Sequence, residues 1–578
     1  MQLVHPLFTA LLLAVAVHAS EPADRITPLG ATLPVKVADL ASRSPENQVF
    51  QFAATVGYTP DISKFQPQTA TGYLWIPPTC AKVRGVLVFG YNVPEHWMVG
   101  HPSIREVCAE QNLAILFTSP PCRHFAVCAD EKYSLEAKGK AHAEFLQQLM
   151  DALAKESGYE ELSTAPWLPM GESMSLKIVT HVTNGAPERC IAGIHIKDGC
   201  WNEIKSPGVP MLEACGTAAE WGHPRYDLFS RWRDMAVDDL KNHMEKRAAD
   251  PSWPGSLLVE AGSAHFSVTE PMCRYFAQYI RAAAKSRLSA DGSPTLRPVD
   301  LNSGYVAGLS VPGIASVKPK RYSECTPEER NLPWNFDKEL AQAAYDIANV
   351  NWDAKSPEPV FTDAQGNPIP FNKAGIVDVP CTTDKDGVTF ALSATFLDRL
   401  PEGSLKALAP LGHPAGQPAI EWVCGQFMPL GQNRFQIALD RTSRIDPSRI
   451  PSVAGFVRVI HPGDANYRLS TNPGSLKVEP NKTGTPQKIT FDEIPDQKRE
   501  SKEVKLHAVS DSGMPVSYFV QVGPAEIHGD KLVFTPIPQR SKLPLTVTVV
   551  AWQWGRASEP AVQTAPVVER TFRILAAK

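Results

Sequence analysis

Between residues 84 and 290, short apolar runs alternate with stretches of helical periodicity, and this alternation limits the fold more than any other feature of the chain. Apolar side chains recur at helical spacing between the runs, as at Phe145, Leu149 and Leu153. Uninterrupted apolar runs are typical of strands that are buried on both faces. The runs are 84–90, 112–120, 166–170, 190–198, 209–215 and 255–262. The pattern predicts an α/β fold with a mostly parallel sheet and helices on both faces.

One of these runs leads directly into a serine between small residues. Residues 165–179 read APWLPMGESMSLKIV, which is an apolar run, then Gly171-Glu172-Ser173-Met174-Ser175, and then a segment compatible with a helix. Small residues on either side of a turn let strand and helix approach closely, and a serine on such a turn presents its hydroxyl at the top of the sheet. Ser173 is therefore the candidate nucleophile.

This segment resembles the nucleophile elbow of the α/β-hydrolase superfamily, whose pattern is Gly-x-Ser-x-Gly, with Ser175 in place of the last glycine. In that superfamily the chain order is nucleophile, acid, histidine, and the histidine follows the last strand. Gly262-Ser263-Ala264-His265 comes at the end of the last predicted strand. The resemblance implies that His265 is the general base, because a serine hydroxyl is a weak nucleophile until an imidazole accepts its proton.

Three carboxylates are candidates for the acid that orients this imidazole. The loop after the strand that ends at Cys215 carries Glu220 and Asp227, and Asp198 follows the preceding strand. Ligands of open parallel sheets bind beyond the carboxyl ends of the strands, so these loops lie at the predicted site. Glu220 is nearest to its strand end, where the superfamily usually keeps its acid. It is the preferred third member of a Ser-Glu-His triad.

Attack on a carbonyl group creates an oxyanion, which needs two N–H donors. The first predicted donor is the backbone N–H of Met174, directly after the nucleophile. The resemblance of Phe89-Gly90-Tyr91 to the superfamily's His-Gly-x turn places the second donor at Tyr91. The histidines of neighbouring loops match no metal-ligand spacing, so neither a metal nor another cofactor is predicted; they are His96, His101 and His124.

The N-terminus predicts export. Residues 1–19 hold the apolar run LFTALLLAVAV and end in Val17-His18-Ala19, with small residues at both positions that signal peptidase reads. The run is too short to span a bilayer. A cleaved signal peptide is predicted, and with it a secreted or periplasmic protein. All 11 cysteines follow it, and an oxidising compartment would let most of them pair; the proposed pairs are Cys122 with Cys128 and Cys381 with Cys424.

Changes in composition divide the remaining chain. The catalytic domain is predicted at 25–290, and a Pro-, Ser- and Gly-rich linker at 291–330. Strand-like runs between turns predict a β-rich accessory module at 331–480. Short strands at regular spacing predict a β-sandwich at 486–578, similar to the immunoglobulin-like modules of secreted bacterial proteins. A chain that ends near residue 290 is expected to keep activity on small soluble esters.

The resemblance implies a secreted serine hydrolase that cleaves carboxylic esters through an acyl-enzyme. The net charge of −4 gives no reason to expect a nucleic-acid partner, and no segment predicts an integral membrane span. The fold leaves the substrate open, and the accessory modules favour a polymeric or carbohydrate-linked ester. A serine peptidase of the same fold and a non-catalytic surface-binding protein with a hydrolase-like domain are the alternatives, and the oligomeric state is open.

Overall fold

The structure is a computed structural model that describes most of the chain beyond residue 48. The described residues are 49–58, 68–90, 92–119, 134–197, 204–205, 208–218, 225–311, 314–351, 354–372, 375–399, 411–443 and 452–576. The predicted signal peptide, residues 1–19, lies outside them, as do Cys122, Cys128 and His124. No helix within these stretches has the length and apolar character needed to cross a membrane.

An eight-stranded sheet organises the N-terminal half of the described chain. Its strands are β1 (Phe52–Tyr58), β2 (Gln68–Trp75), β3 (Gly85–Phe89), β4 (Leu113–Ser119), β5 (Trp167–Glu172), β6 (Gly193–Ile196), β7 (Met211–Ala218) and β8 (Gly255–Ala264). Their spatial order is β1-β2-β4-β3-β5-β6-β7-β8. The pairs β1–β2 and β2–β4 are antiparallel, and all other neighbours are parallel. The prediction of a mostly parallel, hydrolase-like sheet is confirmed.

The central strands are buried on both faces, which is why they read as unbroken apolar runs. Val86, Leu87, Val88 and Phe89 of β3, for example, are fully buried. The helices of this part are α1 (Glu95–Met98), α2 (Pro102–Gln111), α3 (Leu135–Ser157), α4 (Leu176–Gly185), α5 (Arg225–Ala249) and α6 (Glu270–Arg287). Since β3, β5 and β8 run in the same direction, the loops that follow them lie at one edge of the sheet.

Side-chain caps define where two long helices begin. The Ser134 side chain accepts the N–H of Ala137 at the start of α3, and this helix ends at Gly158, which has a φ of 80°. The Thr269 side chain accepts the N–H of Met272 at the start of α6. Hydroxyl residues are favoured at such positions because they satisfy backbone donors that have no partner within the helix. The cap at Thr269 starts α6 directly after residues 265–269, which connect it to β8.

The segment predicted as a linker, 291–330, contains two strands. They are β9 (Tyr305–Gly308) and β10 (Val317–Arg321), and they form a sheet of order β10-β9-β11 with β11 (Trp334–Asn335). The hydroxyl of Ser256 in β8 donates to the carbonyl oxygen of Trp334 at 2.6 Å. Helix α7 (Lys338–Ala348) follows. This stretch is therefore attached to the edge of the hydrolase-like sheet, which its composition did not indicate.

Strands dominate residues 356–478, which we call the β-rich module. They are β12 (Ser356–Pro357), β13 (Pro359–Thr362), β14 (Val377–Asp378), β15 (Thr389–Ala391), β16 (Ser393–Phe396), β17 (Leu411–Gly412), β18 (Ala419–Gly425), β19 (Phe427–Gly431), β20 (Arg434–Ile437), β21 (Val453–His461) and β22 (Ser470–Val478). One sheet has four strands in the order β14-β22-β21-β18. The strand-rich character predicted for this region is confirmed.

The C-terminal strands form further small sheets. They are β23 (Ile489–Phe491), β24 (Gln497–Lys498), β25 (Glu503–Lys505), β26 (Ala508–Ser510), β27 (Ser517–Val522), β28 (Ala525–His528), β29 (Lys531–Phe534), β30 (Leu545–Trp552) and β31 (Val568–Leu575). The sheet orders are β24-β31-β30-β27, β25-β29-β28 and β23-β26. The N–H of Gly523 donates to the carbonyl oxygen of Phe50 at 3.0 Å, which joins this region to the part that holds the hydrolase-like sheet. An immunoglobulin-like arrangement stays a prediction.

The cysteine pairing expected for the β-rich module is wrong. Cys381 and Cys424 both carry free thiols. Cys424 is buried, and burial raises the pKa of its thiol. Both cysteines behave as small apolar residues here, a common role for unpaired cysteine in a protein interior.

Candidate active site

Ser173 lies on a sharp turn between β5 and α4, with a φ of +51°. Residues other than glycine rarely adopt this left-handed backbone, and such strain is concentrated where a side chain is presented for chemistry. The turn needs small neighbours. A Cβ added at Gly171 would lie 2.6 Å from the carbonyl oxygen of Ser175, and one added at Gly90 would lie 2.7 Å from the Cβ of Ser175. These close contacts explain why the predicted elbow is built from small residues.

The candidate nucleophile contacts the candidate base directly. His265 Nε2 lies 2.8 Å from the hydroxyl oxygen of Ser173, within hydrogen-bonding distance. When the imidazole is neutral at Nε2, the hydroxyl donates to it, and this geometry lets the base take the proton as the oxygen attacks. His265 is buried in the connection between β8 and α6, whereas Ser173 is partly exposed. The structure therefore brings these two sequence-predicted residues together.

Sequence reasoning missed a buried glutamate at this site. Glu172 Oε1 lies 3.4 Å from His265 Nε2, and Glu172 Oε2 accepts a hydrogen bond from Asn92 Nδ2 at 2.8 Å. The Glu172 side chain has no exposed surface. An ionised carboxylate in this position stabilises the imidazolium that forms when His265 takes a proton. The sequence did contain a signal for Glu172, because it is a charged residue inside a turn of otherwise small and apolar residues. Glutamate is rarely buried without a partner, so its presence there indicated a contact within the site.

A second buried glutamate, Glu95, joins the loop after β3 to the elbow. Its Oε2 accepts the N–H of Asn92 at 3.1 Å and that of Val93 at 3.0 Å. Its Oε1 accepts the N–H of Glu172 at 2.8 Å and the hydroxyl of Ser175. Burial raises the pKa of Glu95, and the hydrogen bond from Ser175 acts in the opposite direction. The serine in place of the usual last glycine thus supplies a donor that a glycine lacks.

Several predicted site residues lie outside the described part of the chain. These are Glu220, Asp198 and Tyr91, and the side chain of Asp227 in α5 is outside it as well. The acid of the triad and the second oxyanion donor therefore stay predictions. Met174 lies in the same 3₁₀ turn as Ser173, and its side chain is 44% exposed. Met174 is thus exposed beside the partly exposed Ser173.

Two of the histidines noted in the sequence form pairs with carboxylates. His96 Nε2 lies 3.0 Å from Asp440 Oδ2, and His101 Nε2 lies 3.0 Å from Glu270 Oε2. Within the stretches that the structure describes, no group of three or more His, Cys, Asp or Glu side chains could hold a metal ion. The described site offers a hydroxyl hydrogen-bonded to an imidazole, with a carboxylate beside the same ring nitrogen.

No family model matches the chain, and no curated protein matches it. Three solved structures are similar to part of it: a dienelactone hydrolase from Anabaena variabilis, the esterase domain of a Rhodothermus marinus protein, and a siderophore hydrolase from Aspergillus nidulans. Their identities are 15%, 11% and 12%, and their TM-scores are 0.25, 0.25 and 0.28. The matches cover 41%, 41% and 39% of this chain and 99%, 98% and 93% of the other chains. TM-scores this low carry no argument, so the hydrolase-like fold rests on the strand order and on the elbow.

Proposed function

We propose that the chain is a serine hydrolase that cleaves carboxylic esters through an acyl-enzyme. The observation that carries this proposal is the 2.8 Å contact between Ser173 Oγ and His265 Nε2, on a left-handed turn at the end of β5. A hydroxyl at the carboxyl edge of a parallel sheet, bonded to a buried imidazole, is the arrangement that nucleophilic catalysis by serine needs.

In the first half-reaction His265 Nε2 takes the hydroxyl proton of Ser173 while Oγ attacks the carbonyl carbon of the ester. The carbonyl oxygen becomes an oxyanion, and the backbone N–H groups of Met174 and Tyr91 are its proposed donors. The tetrahedral intermediate collapses when the imidazolium gives its proton to the leaving oxygen. The alcohol departs, and the acyl group stays on Ser173 as an ester.

In the second half-reaction a water molecule takes the place of the alcohol. His265 removes a proton from the water, the hydroxide oxygen attacks the acyl carbon, and the imidazolium returns the proton to Ser173 Oγ as the acid leaves. Glu172 faces the protonated imidazole in both half-reactions and stabilises its charge. Glu220 is the proposed acid at the other ring nitrogen.

We further propose that the protein is exported and that its substrate is an ester on a polymer or a carbohydrate. The N-terminal segment 1–19 supports export, because its composition is that of a signal peptide. The strand-rich regions beyond residue 356 support a polymeric substrate, since they add a large surface to the hydrolase part.

A fluorophosphonate probe tests the reaction class, because it labels only an activated serine. We expect labelling of the wild-type protein, loss of labelling and turnover in Ser173→Ala, and normal labelling in Ser303→Ala. Ser303 is an exposed serine whose hydroxyl donates only to the Asp300 carbonyl oxygen among the described contacts. Labelling retained by Ser173→Ala would contradict the assignment.

A substrate panel then separates the remaining functions. Acetyl, feruloyl and p-nitrophenyl esters are assayed beside peptide amides. Hydrolysis of esters alone supports the proposal, and cleavage of peptide amides at a higher kcat/KM would identify a peptidase. A folded wild-type protein that the probe does not label would identify a non-catalytic binding protein.

A further inference from the structure

The connection that carries His265 is held by the β-rich module as well as by its own sheet. Gly262 has a φ of +88°, and a Cβ added there would lie 1.8 Å from the carbonyl oxygen of Leu469. Two residues further on, the N–H of Ala264 donates to Thr471 Oγ1 at 2.8 Å, and Thr471 is fully buried. The first residues of β22 and the residue before it therefore lie directly on the segment that precedes the imidazole.

The residues after His265 are bound to the same module. The carbonyl oxygen of Val268 accepts a hydrogen bond from Arg458 Nη1 at 2.6 Å, and Arg458 belongs to β21. The ring of Phe266 packs against that of Phe456, with 5.0 Å between the ring centroids. Contacts at positions 262, 264, 266 and 268 enclose the histidine on both sides along the chain.

Helix α1, whose residue Glu95 contacts the elbow, also contacts this module. His96 Nε2 lies 3.0 Å from Asp440 Oδ2, and both side chains are buried. Because His96 Nδ1 accepts the N–H of Gly425 at 3.2 Å, the ring proton lies on Nε2, the nitrogen that faces Asp440. Burial would raise the pKa of Asp440, but His96 and Thr442 hold it below its ordinary value, so the carboxylate is ionised. His96 adjoins Glu95, whose carboxyl group holds the elbow.

We infer that the β-rich module is a positioning element of the active site and that Thr471 positions the general base. The Thr471 hydroxyl holds the Ala264 N–H, and through it the backbone that places His265 Nε2 against Ser173. Displacement of a catalytic group by about 1 Å costs on the order of a hundredfold in rate. The inference rests on the proposed function, and it replaces the expectation that a chain ending near residue 290 is active.

The test is a set of substitutions in the full-length protein. Thr471→Val keeps the size of the side chain and removes the oxygen that accepts the Ala264 N–H. We expect kcat on a small soluble ester to fall about 10- to 100-fold with KM within about threefold of wild type, since the nucleophile and the binding surface are unchanged. Thr471→Ser restores the hydroxyl, and kcat should return to within about threefold of wild type.

Thr564→Val is the matched control. Thr564 Oγ1 accepts the N–H of Asn481 at 2.8 Å and donates to the Trp554 carbonyl oxygen, so the control removes the same kind of accepted hydrogen bond, together with a donated one, in the C-terminal region. We expect Thr564→Val to lower the Tm without lowering kcat. Equal kcat losses in Thr471→Val and Thr564→Val, or a kcat for folded Thr471→Val within twofold of wild type, would overturn the inference.

A second variant keeps the test decisive if Thr471→Val does not fold. Arg458→Lys keeps the positive charge beside Glu421 but shortens the donor that reaches the Val268 carbonyl oxygen. We expect kcat to fall at least about fivefold while KM stays near the wild-type value, because the end of the same segment loosens. An unchanged kcat in folded Arg458→Lys would contradict the inference.

Probe labelling separates this inference from the proposed function. If the wild-type protein is not labelled by the fluorophosphonate, the proposed function fails. If the wild-type protein is labelled and the folded Thr471→Val protein is labelled at the same rate, only the positioning role fails. A lower labelling rate in Thr471→Val than in Thr471→Ser supports both.

Discussion

Glu172 Oε1 lies 3.4 Å from His265 Nε2, so the residue that precedes the candidate nucleophile also faces the candidate base. The two side chains are 0% and 5% exposed, respectively. Charges interact more strongly where water is excluded. In the proposed reaction the imidazolium therefore has the Glu172 carboxylate beside the ring nitrogen that exchanges the proton, in addition to the acid expected at the other nitrogen.

Glu172→Gln removes this charge while it keeps the size of the side chain and an oxygen that can accept from Asn92. We expect kcat on small esters to fall about 10- to 100-fold, with little change in KM, because the interaction exists only when the imidazole is charged. Steady-state kinetics measures the effect. Glu110→Gln is the control, since the Glu110 side chain is only 3% exposed and is paired with Arg281 on α6. Equal losses of kcat in the two variants would contradict a role for Glu172 in the reaction.

The acid of the triad is decided by three single substitutions. Glu220→Gln should lower kcat about ten-thousandfold, because an imidazole without its orienting carboxylate is poorly held. The kcat of Asp227→Asn and that of Asp198→Asn should stay close to the wild-type value, since only one carboxylate can reach the outer imidazole nitrogen. Turnover is measured for each protein, with circular dichroism to confirm folding. A near-normal Glu220→Gln beside a strongly impaired Asp198→Asn would move the acid to the loop after β6.

Gly262→Ala tests the close contact between the histidine segment and the β-rich module. Gly366 has a similar φ of +84°, but a Cβ added there meets nothing within 4 Å, so Gly366→Ala measures backbone strain alone. We expect Gly366→Ala to lower the free energy of unfolding by about 1 kcal/mol and to leave kcat unchanged. Gly262→Ala should cost several times more and also lower kcat, because the Leu469 carbonyl must move. Denaturant unfolding and kinetics compare the two, and identical results would show that the contact is not restrictive.

Buried histidines predict a loss of stability in mild acid. Burial lowers the pKa of His142 to about 4 and that of His195 to about 3. An imidazole in the unfolded chain has a pKa of about 6.5, so the unfolded state binds protons first as the pH falls. Stability is therefore complete above about pH 6.5 and declines below it, by on the order of 2 kcal/mol at pH 5 from His142 alone.

His142→Gln is the variant that checks this pH dependence. Glutamine offers a donor and an acceptor but does not titrate, and His142 Nδ1 lies 3.0 Å from the Lys138 carbonyl oxygen and 3.2 Å from His181 Nδ1. Denaturant unfolding at pH 7.5 and pH 5 should show a smaller difference for the variant than for the wild-type protein. A difference of the same size in both proteins would mean that His142 does not contribute to acid sensitivity.

Local patterns in the sequence determined the sheet and the elbow. The runs in β3, β4 and β5 are uninterrupted because both faces of these strands are covered, and this burial is visible in composition alone. The small residues around Ser173 are required by close approaches at Gly90 and Gly171, which also leave a local signature. Chain order then indicated His265, since the base follows the last strand of such a sheet.

The tertiary structure alone decided which residues hold this site in place. Glu95 and Glu172 are buried and both accept hydrogen bonds from Asn92, and Thr471 Oγ1 accepts a backbone N–H from 207 residues away in the chain. Hydrogen bonds between distant segments have no periodic signature, because they depend on how whole sheets pack against each other. For the same reason the sequence predicted an accessory module, whereas in the structure β21 and β22 pack against the segment that carries His265. The sequence alone therefore indicates the residues that carry the chemistry of the site. Only the tertiary structure shows which distant residues hold them in place.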